Sequence, residues 1–132
     1  MFLRLAVLVF LSVSSAVAAD DATRWRGADI SERMIGNTIV GEANDFFGAA
    51  FMIYFHPDGT TKGVAKKFGF TVTDYGHWKI ERDLLCVRWS KWEGRNRLCR
   101  TTAAKDGEIL MYDENDAVTS RQVIRKGNPY NL

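Results

Sequence analysis

The chain has 132 residues with 18 basic and 16 acidic side chains, so its formal net charge is only +2. This charge favours no class of partner, and no basic helix or base-stacking motif indicates nucleic acid. The length fits a single domain. No unit of about 20–50 residues is repeated, which excludes solenoids and propellers.

The chain begins with the three parts of a secretory signal peptide. Residues 1–4 include a basic residue, residues 5–13 are almost entirely apolar, and residues 14–19 are small and end in Ala-Val-Ala-Ala. The apolar run is shorter than the about 20 residues that a membrane-spanning helix needs. We therefore expect cleavage after residue 18 or 19, and an exported domain, periplasmic or extracellular, at residues 20–132. A retained membrane anchor is the alternative.

The first element expected in this domain is a short helix at residues 28–35. Ile30 and Met34 fall on one side, residues of capping type stand near its start, and Gly36 suits a left-handed stop. Such a helix could plug or flank a small barrel.

The rest of the domain is predicted to be antiparallel β-structure. Alternating or aromatic-rich segments predict strands at residues 37–42, 48–56, 60–66, 68–73, 76–83, 85–90, 97–101, 108–112 and 117–125. The turn Pro57-Asp58-Gly59 marks the clearest hairpin. Short turns favour an up-and-down meander that closes into a calycin-like, or lipocalin-like, barrel of about eight strands. An open β-sandwich is the alternative.

The only two cysteines, Cys86 and Cys99, are predicted to form a disulfide, because exported proteins meet an oxidising compartment. Free thiols and a metal site are the alternatives. A zinc site needs four ligands, and the remaining soft candidates, His56 and His77, stand singly. We expect no metal and no other cofactor.

The pattern around the cysteines predicts the register of their hairpin. If the cysteines face one another across antiparallel strands, Val87 faces Leu98 inward and Arg88 faces Arg97 outward. The disulfide then lies on the outer, polar face. Two arginines across a strand pair repel unless an anion lies between them.

Charge is unevenly distributed around this hairpin. Residues 79–105 hold eight basic and three acidic side chains, whereas residues 106–116 hold five acidic and no basic ones. Either the acidic stretch neutralises the basic hairpin, or the hairpin binds an anion or a protein. The tryptophan in the hairpin tip is expected to be exposed and is a candidate binding hot spot. The candidate partner surface consists of Arg88, Trp92, Arg95 and Arg97.

Several aromatic residues are predicted to point into the barrel. They are Phe51, Phe55, Trp78, Trp89 and Phe70. The interior of an eight-stranded barrel is either filled by side chains or holds one small ligand. Both a packed core and a ligand cavity therefore stay open.

No catalytic motif accompanies this pattern. Neither histidine stands beside a nucleophile motif, and the carboxylates nearest to them in sequence, Asp58 and Asp74, fit turns. Paired carboxylates for sugar hydrolysis cannot be recognised in a linear sequence. We therefore expect a protein that is not an enzyme.

Short motifs run through most of the exported domain. They are Gly36-Asn37-Thr38-Ile39, Tyr54-Phe55 with Asp58-Gly59-Thr60, Gly76-His77-Trp78, Leu85-Cys86 with Trp89, Cys99, and Gly127-Asn128-Pro129. The series resembles small exported bacterial proteins grouped as a domain of unknown function. It is more loosely similar to bacterial inhibitors of secreted proteases and of lysozyme, although Gly76-x-Trp78 lies in mid-chain here. The resemblance implies a scaffold and no activity.

Two functional hypotheses follow. The first is an exported, non-enzymatic binding or inhibitor module that engages an envelope protein or an anionic cell-surface glycan through the disulfide hairpin. The second is a carrier of a small apolar ligand in the barrel interior. A hydrolase is the remaining alternative, and the sequence predicts no oligomeric state.

Overall fold

A computed structural model describes residues 22–44 and 48–132 of this chain. The expected signal peptide, residues 1–19, lies outside the described residues, as do the first two residues of the expected exported domain.

The chain forms a series of antiparallel strands preceded by one short helix. In chain order the elements are β1 (Thr23–Arg24), α1 (Gly27–Met34), β2 (Thr38–Ala43), β3 (Ala49–Phe55), β4 (Thr60–Lys67), β5 (Phe70–Glu81), β6 (Leu84–Trp89), β7 (Arg97–Lys105), β8 (Glu108–Tyr112) and β9 (Val118–Arg125). A short 3₁₀ turn, Trp92–Arg95, lies between β6 and β7.

Strands β2 to β9 form a closed barrel. Each strand pairs antiparallel with the next one along the chain, and β2 also pairs with β9 to close the sheet. Ile39 of β2 therefore lies between Ile53 of β3 and Ile124 of β9. The short β1 adds to β7 beside the barrel. The expected eight-stranded antiparallel barrel is confirmed, and the open sandwich is wrong, because closure leaves β2 and β9 with partners on both sides.

Helix α1 closes one end of this barrel, here called the helix end. Ile30 and Met34 are buried in the same core as Trp25 and Leu85. The approach is close, since a Cβ at Gly27 would lie 2.3 Å from the carbonyl oxygen of the β5–β6 turn residue Arg82. The predicted helix is thus confirmed, and it plugs the barrel.

The ends of the helix follow local backbone chemistry. The Asp29 carboxylate accepts a hydrogen bond from the Arg26 amide at 2.9 Å, which satisfies a donor before the first turn. Gly36, at φ 80°, supplies the expected left-handed stop.

At the opposite end, here called the open end, lie the turns of four hairpins: β2–β3, β4–β5, β6–β7 and β8–β9. In an up-and-down barrel alternate turns fall at alternate ends. Among the described residues, no α-helix covers the open end, and the 3₁₀ turn Trp92–Arg95 lies there. The site described below is at this end.

Strand β5 departs from the prediction. The separate strands expected at residues 68–73 and 76–83 are one strand of 12 residues. The sequence predicts Asp74 in a turn, but this residue lies within the strand. Its buried carboxylate accepts a hydrogen bond from the Lys91 amide. Phe70 was expected inside the barrel, but it is 74% exposed at the far tip of the β4–β5 hairpin.

Candidate functional site

The barrel interior contains a cavity of about 520 Å³. Its walls are mainly aliphatic and aromatic. They include Phe51, Phe55 and Trp89, which the sequence predicts as interior residues, together with Ile39, Leu85 and Met111. The volume lies within the range of about 300–1,000 Å³ that is usual for small-molecule sites. The interior is therefore not filled by side chains alone.

Trp78 has a different place from the one expected of a cavity residue. Its side chain packs against the core, opposite Val87, but it is not part of the cavity wall. Its indole Nε1 donates a hydrogen bond to the carbonyl oxygen of His56 at 2.7 Å. Trp78 thus joins two hairpins at the helix end.

The exposure predicted for Trp92 is wrong. This side chain is half-buried and lines the cavity, with its ring centroid 4.7 Å from that of Trp89. The turn that carries Trp92 bends back over the open end instead of forming an extended hairpin tip. Trp92 is therefore part of the cavity wall.

A glycine in β4 makes room for the two indoles. A Cβ at Gly63 would lie 2.5 Å from Cζ3 of Trp92 and 2.8 Å from Cη2 of Trp89, which is too close for any real contact. Only glycine at this position lets the tryptophan pair lie against the barrel wall. The sequence shows the glycine but not this role.

Asp74 holds the β6–β7 turn in place. Its carboxylate accepts hydrogen bonds from the Ser90 hydroxyl, from the Lys91 amide at 2.8 Å and from the Trp92 amide at 2.9 Å. Burial alone would raise the pKa of Asp74, but the hydrogen bonds from Ser90 and the nearby amides lower it to about 2. The carboxylate is therefore charged and fully engaged at neutral pH.

An ion pair borders the cavity at the open end. Nη2 of Arg100 lies 3.0 Å from Oε1 of Glu93, and both side chains contribute to the cavity wall. The second carboxylate oxygen of Glu93, Oε2, is buried without a hydrogen-bond partner. This oxygen can accept a hydrogen bond from a molecule in the cavity.

The cysteine hairpin has the predicted register. Cys86 and Cys99 are bonded and directly opposed, Val87 faces Leu98, and Arg88 faces Arg97. The disulfide lies on the outer side of the sheet, as predicted. Cys86 is nevertheless buried, so this part of the outer face is not a solvent-exposed polar surface. The carboxylate of Glu81 lies within 4.8 Å of both sulfurs, which in a disulfide offer no thiolate for a metal.

Two arginines of the basic hairpin, Arg97 and Arg100, pair with carboxylates from within the basic segment. Glu81 pairs with Arg97 and lies 3.5 Å from Lys79. In the acidic stretch, by contrast, Asp116 pairs with Arg24 and Glu108 pairs with Arg121. The sequence allows the acidic stretch to neutralise the basic hairpin. For Arg97 this is wrong, because its partner Glu81 belongs to β5.

Arg88 lies in a shallow groove on the outer face of the barrel. The groove has a volume of about 630 Å³, and none of the described residues in its wall is an aspartate or glutamate, although Leu132, the last residue of the sequence, also lines it. Its basic and aromatic residues are Tyr54, His56, Lys62, Tyr75, His77, Arg88 and Trp89. The structure therefore separates the predicted partner residues: Arg88 is in the groove, Arg95 and Arg97 are exposed elsewhere on the hairpin, and Trp92 is in the cavity.

No protein-family model, curated protein or solved structure matches this chain. Among the residues that the structure describes, none forms a helix with both the length and the apolar character needed to cross a bilayer.

Proposed function

We propose that this protein is an exported, non-enzymatic carrier that binds one small, largely apolar molecule inside the barrel. The observation that carries the proposal is the interior cavity of about 520 Å³. A barrel of this size that served only as a scaffold could fill its interior with side chains. The disulfide fits the oxidising compartment in which we place the protein.

The cavity wall defines the class of ligand. Phe51, Trp89 and Met111 offer apolar surface, and burying a ligand against it contributes about 25 cal/mol for each Å² of apolar area removed from water. Polar groups stand together at the open end, where Glu93 has a buried oxygen without a partner. The ligand we propose therefore has an apolar body and one hydrogen-bond donor, such as a hydroxyl or amine, directed at Glu93.

A matched pair of substitutions tests this proposal. Ala49 is buried in the cavity wall, whereas the next residue, Ala50, is exposed on the outer face. Ala49→Phe should fill the cavity, and Ala50→Phe adds the same ring outside it. The apolar fluorophore N-phenylnaphthylamine should bind the wild type and Ala50→Phe, with energy transfer from Trp89, and should bind Ala49→Phe at least about tenfold more weakly.

Equal affinity of the three proteins for the fluorophore would contradict an interior site. So would the absence of any binding to the wild type, provided that its unfolding temperature shows a folded protein. A loss of binding in Ala50→Phe would place the fluorophore on the outside of the barrel.

A second candidate function is supported by the outer groove. Lys62, His77 and Arg88 contribute positive charge or hydrogen-bond donors to a surface that also offers the ring of Tyr75. This combination suits an anionic polysaccharide, because sugar rings pack on aromatic faces and acidic groups pair with cations. We propose that Arg88 acts here, which retains the sequence-based interpretation for one of the four predicted partner residues.

Binding to polygalacturonate at low and high salt tests the second candidate. Arg88→Gln should weaken binding about fivefold or more at low salt, whereas Lys126→Gln, an exposed charge change beyond the end of β9, should not. Identical binding of wild type and Arg88→Gln would contradict this candidate and leave the cavity proposal unaffected.

A further inference from the structure

The β4–β5 hairpin carries the most exposed aromatic side chains of the described residues. Phe68 is 87% exposed and Phe70 is 74% exposed, and Val72 is also exposed. Residues 70–73 are exposed on both faces of the strand, so this part of the hairpin extends beyond the barrel wall. A bulky apolar tip of this kind costs solubility unless something covers it.

The turn of this hairpin holds Phe68 in a backbone conformation that is unfavourable for a bulky residue. Lys67 pairs with Phe70, so Phe68 and Gly69 form a two-residue loop, with φ of 51° and 78°. Such loops strongly favour asparagine, aspartate or glycine at the first position, because a bulky side chain is strained at positive φ. A phenylalanine held at this position points to a use for its exposed ring.

The charge near the tip of the hairpin is of one sign, since Asp74 and Glu81 lie further along β5. Residues 60–73 contain three lysines and no acidic residue. Lys66 is exposed next to the tip, and Nζ of Lys67 lies 5.1 Å from the centre of the Phe68 ring. The tip therefore has an apolar end with cations behind it.

This arrangement fits the surface of an anionic lipid bilayer. Aromatic rings favour the interfacial zone of the membrane, and each nearby lysine is attracted to anionic headgroups. A protein partner fits less well, because lysine is depleted at protein interfaces. A second copy of this chain would bring the lysines of two tips together.

We propose that Phe68 and Phe70 insert into the interface of an anionic bilayer while the exposed Lys66 contacts its headgroups. The hairpin lies at the open end of the barrel, where the β6–β7 turn also borders the cavity. Docking through this tip turns the open end towards the lipid. The proposal is independent of whether the cavity binds a ligand.

Cosedimentation with vesicles tests the inference. The wild type should sediment with vesicles of equal parts phosphatidylcholine and phosphatidylglycerol, and much less with phosphatidylcholine alone. The double variant Phe68→Asn/Phe70→Thr suits the turn and the strand, so it should fold, yet it should partition at least about tenfold more weakly. Tyr130→Thr removes an exposed aromatic ring near the carboxyl terminus and should bind like the wild type.

Charge-removing substitutions test the contact between lysine and the anionic headgroups. Lys66→Gln should weaken binding to the anionic vesicles by about fivefold, and Lys126→Gln should have no comparable effect. Absence of wild-type binding, unchanged binding of the phenylalanine double variant or an equal loss in Tyr130→Thr would overturn the proposal. So would self-association of the wild type that the same double variant abolishes, because the tip would then contact a second copy.

The same phenylalanine double variant distinguishes this proposal from the cavity proposal. Without vesicles, the phenylalanine double variant should bind N-phenylnaphthylamine like the wild type, because neither ring lies in the cavity wall. Loss of vesicle binding with fluorophore binding retained supports the docking surface alone. Loss of fluorophore binding in this variant would show that the tip affects the cavity, and it would overturn a purely lipid-facing role of the tip.

Discussion

The carboxylate of Asp74 accepts a hydrogen bond from the backbone amide of Trp92 at 2.9 Å, although the two residues are 18 positions apart in sequence. This contact ties β5 to the turn that borders the cavity. It helps to hold the half-buried Trp92 against the cavity wall, where the sequence predicts an exposed side chain. The position of the β6–β7 turn therefore depends on one buried carboxylate.

Acid should loosen this turn. The folded-state pKa of Asp74 is about 2, below its usual 3.8, so the charged form stabilises the fold fully above about pH 4, and this contribution is lost as the pH falls towards 2. The difference is worth about 2 kcal/mol. Urea unfolding across this pH range should show the loss in the wild type and a smaller pH dependence in Asp74→Asn. The same pH dependence in both proteins would contradict the role of Asp74.

Removal of the disulfide should destabilise the barrel without changing its fold. Cys86→Ala/Cys99→Ala opens a loop that spans residues 86–99, and the lost restriction of the unfolded chain costs about 3 kcal/mol. Urea unfolding gives the free-energy difference, and circular dichroism should still show β-structure. An unchanged unfolding midpoint would mean that the strand pairing of β6 and β7 suffices alone.

A methyl group at Gly63 should displace the tryptophan pair. Because a Cβ there would overlap both indoles, Gly63→Ala should cost about 1–3 kcal/mol and shift tryptophan emission to longer wavelength as Trp92 becomes exposed. Lys66→Ala, on the outer face of the same strand, is the control and should leave the emission unchanged. Unaltered emission in Gly63→Ala would show that the indoles do not pack against β4 in solution.

The strained turn of the β4–β5 hairpin should be relieved by asparagine. Phe68→Asn replaces a bulky residue at φ 51° with one that tolerates positive φ, and should raise the free energy of unfolding by about 1 kcal/mol. Phe70→Thr, outside the turn, should give no such gain. A loss of stability in Phe68→Asn would mean that the ring contributes packing that its exposure does not suggest.

Local sequence patterns were sufficient to predict most of the barrel. Alternation around Cys86 predicts the register of β6 and β7, and Pro57-Asp58-Gly59 predicts the β3–β4 hairpin, because both depend on residues adjacent in sequence or across one turn. The interior positions of Phe51 and Trp89 follow from the same alternation.

The predictions that were wrong concern residues whose positions depend on long-range contacts or on where the barrel wall ends. The sequence predicts Asp74 in a turn, but groups of the β6–β7 turn satisfy its carboxylate within β5. Those same contacts turn Trp92 inward. Phe70 has the alternation of an inward residue, yet its hairpin extends past the wall, and no local pattern gives the height of that wall.

A crystal structure of the protein grown with N-phenylnaphthylamine would show whether the interior cavity is a ligand site. We expect density for one fluorophore between Phe51, Trp89 and Met111, with the barrel unchanged and Glu93 nearest to its amine. A cavity that contains only water, while the fluorophore lies in the outer groove or in lattice contacts, would rule out the interior binding site.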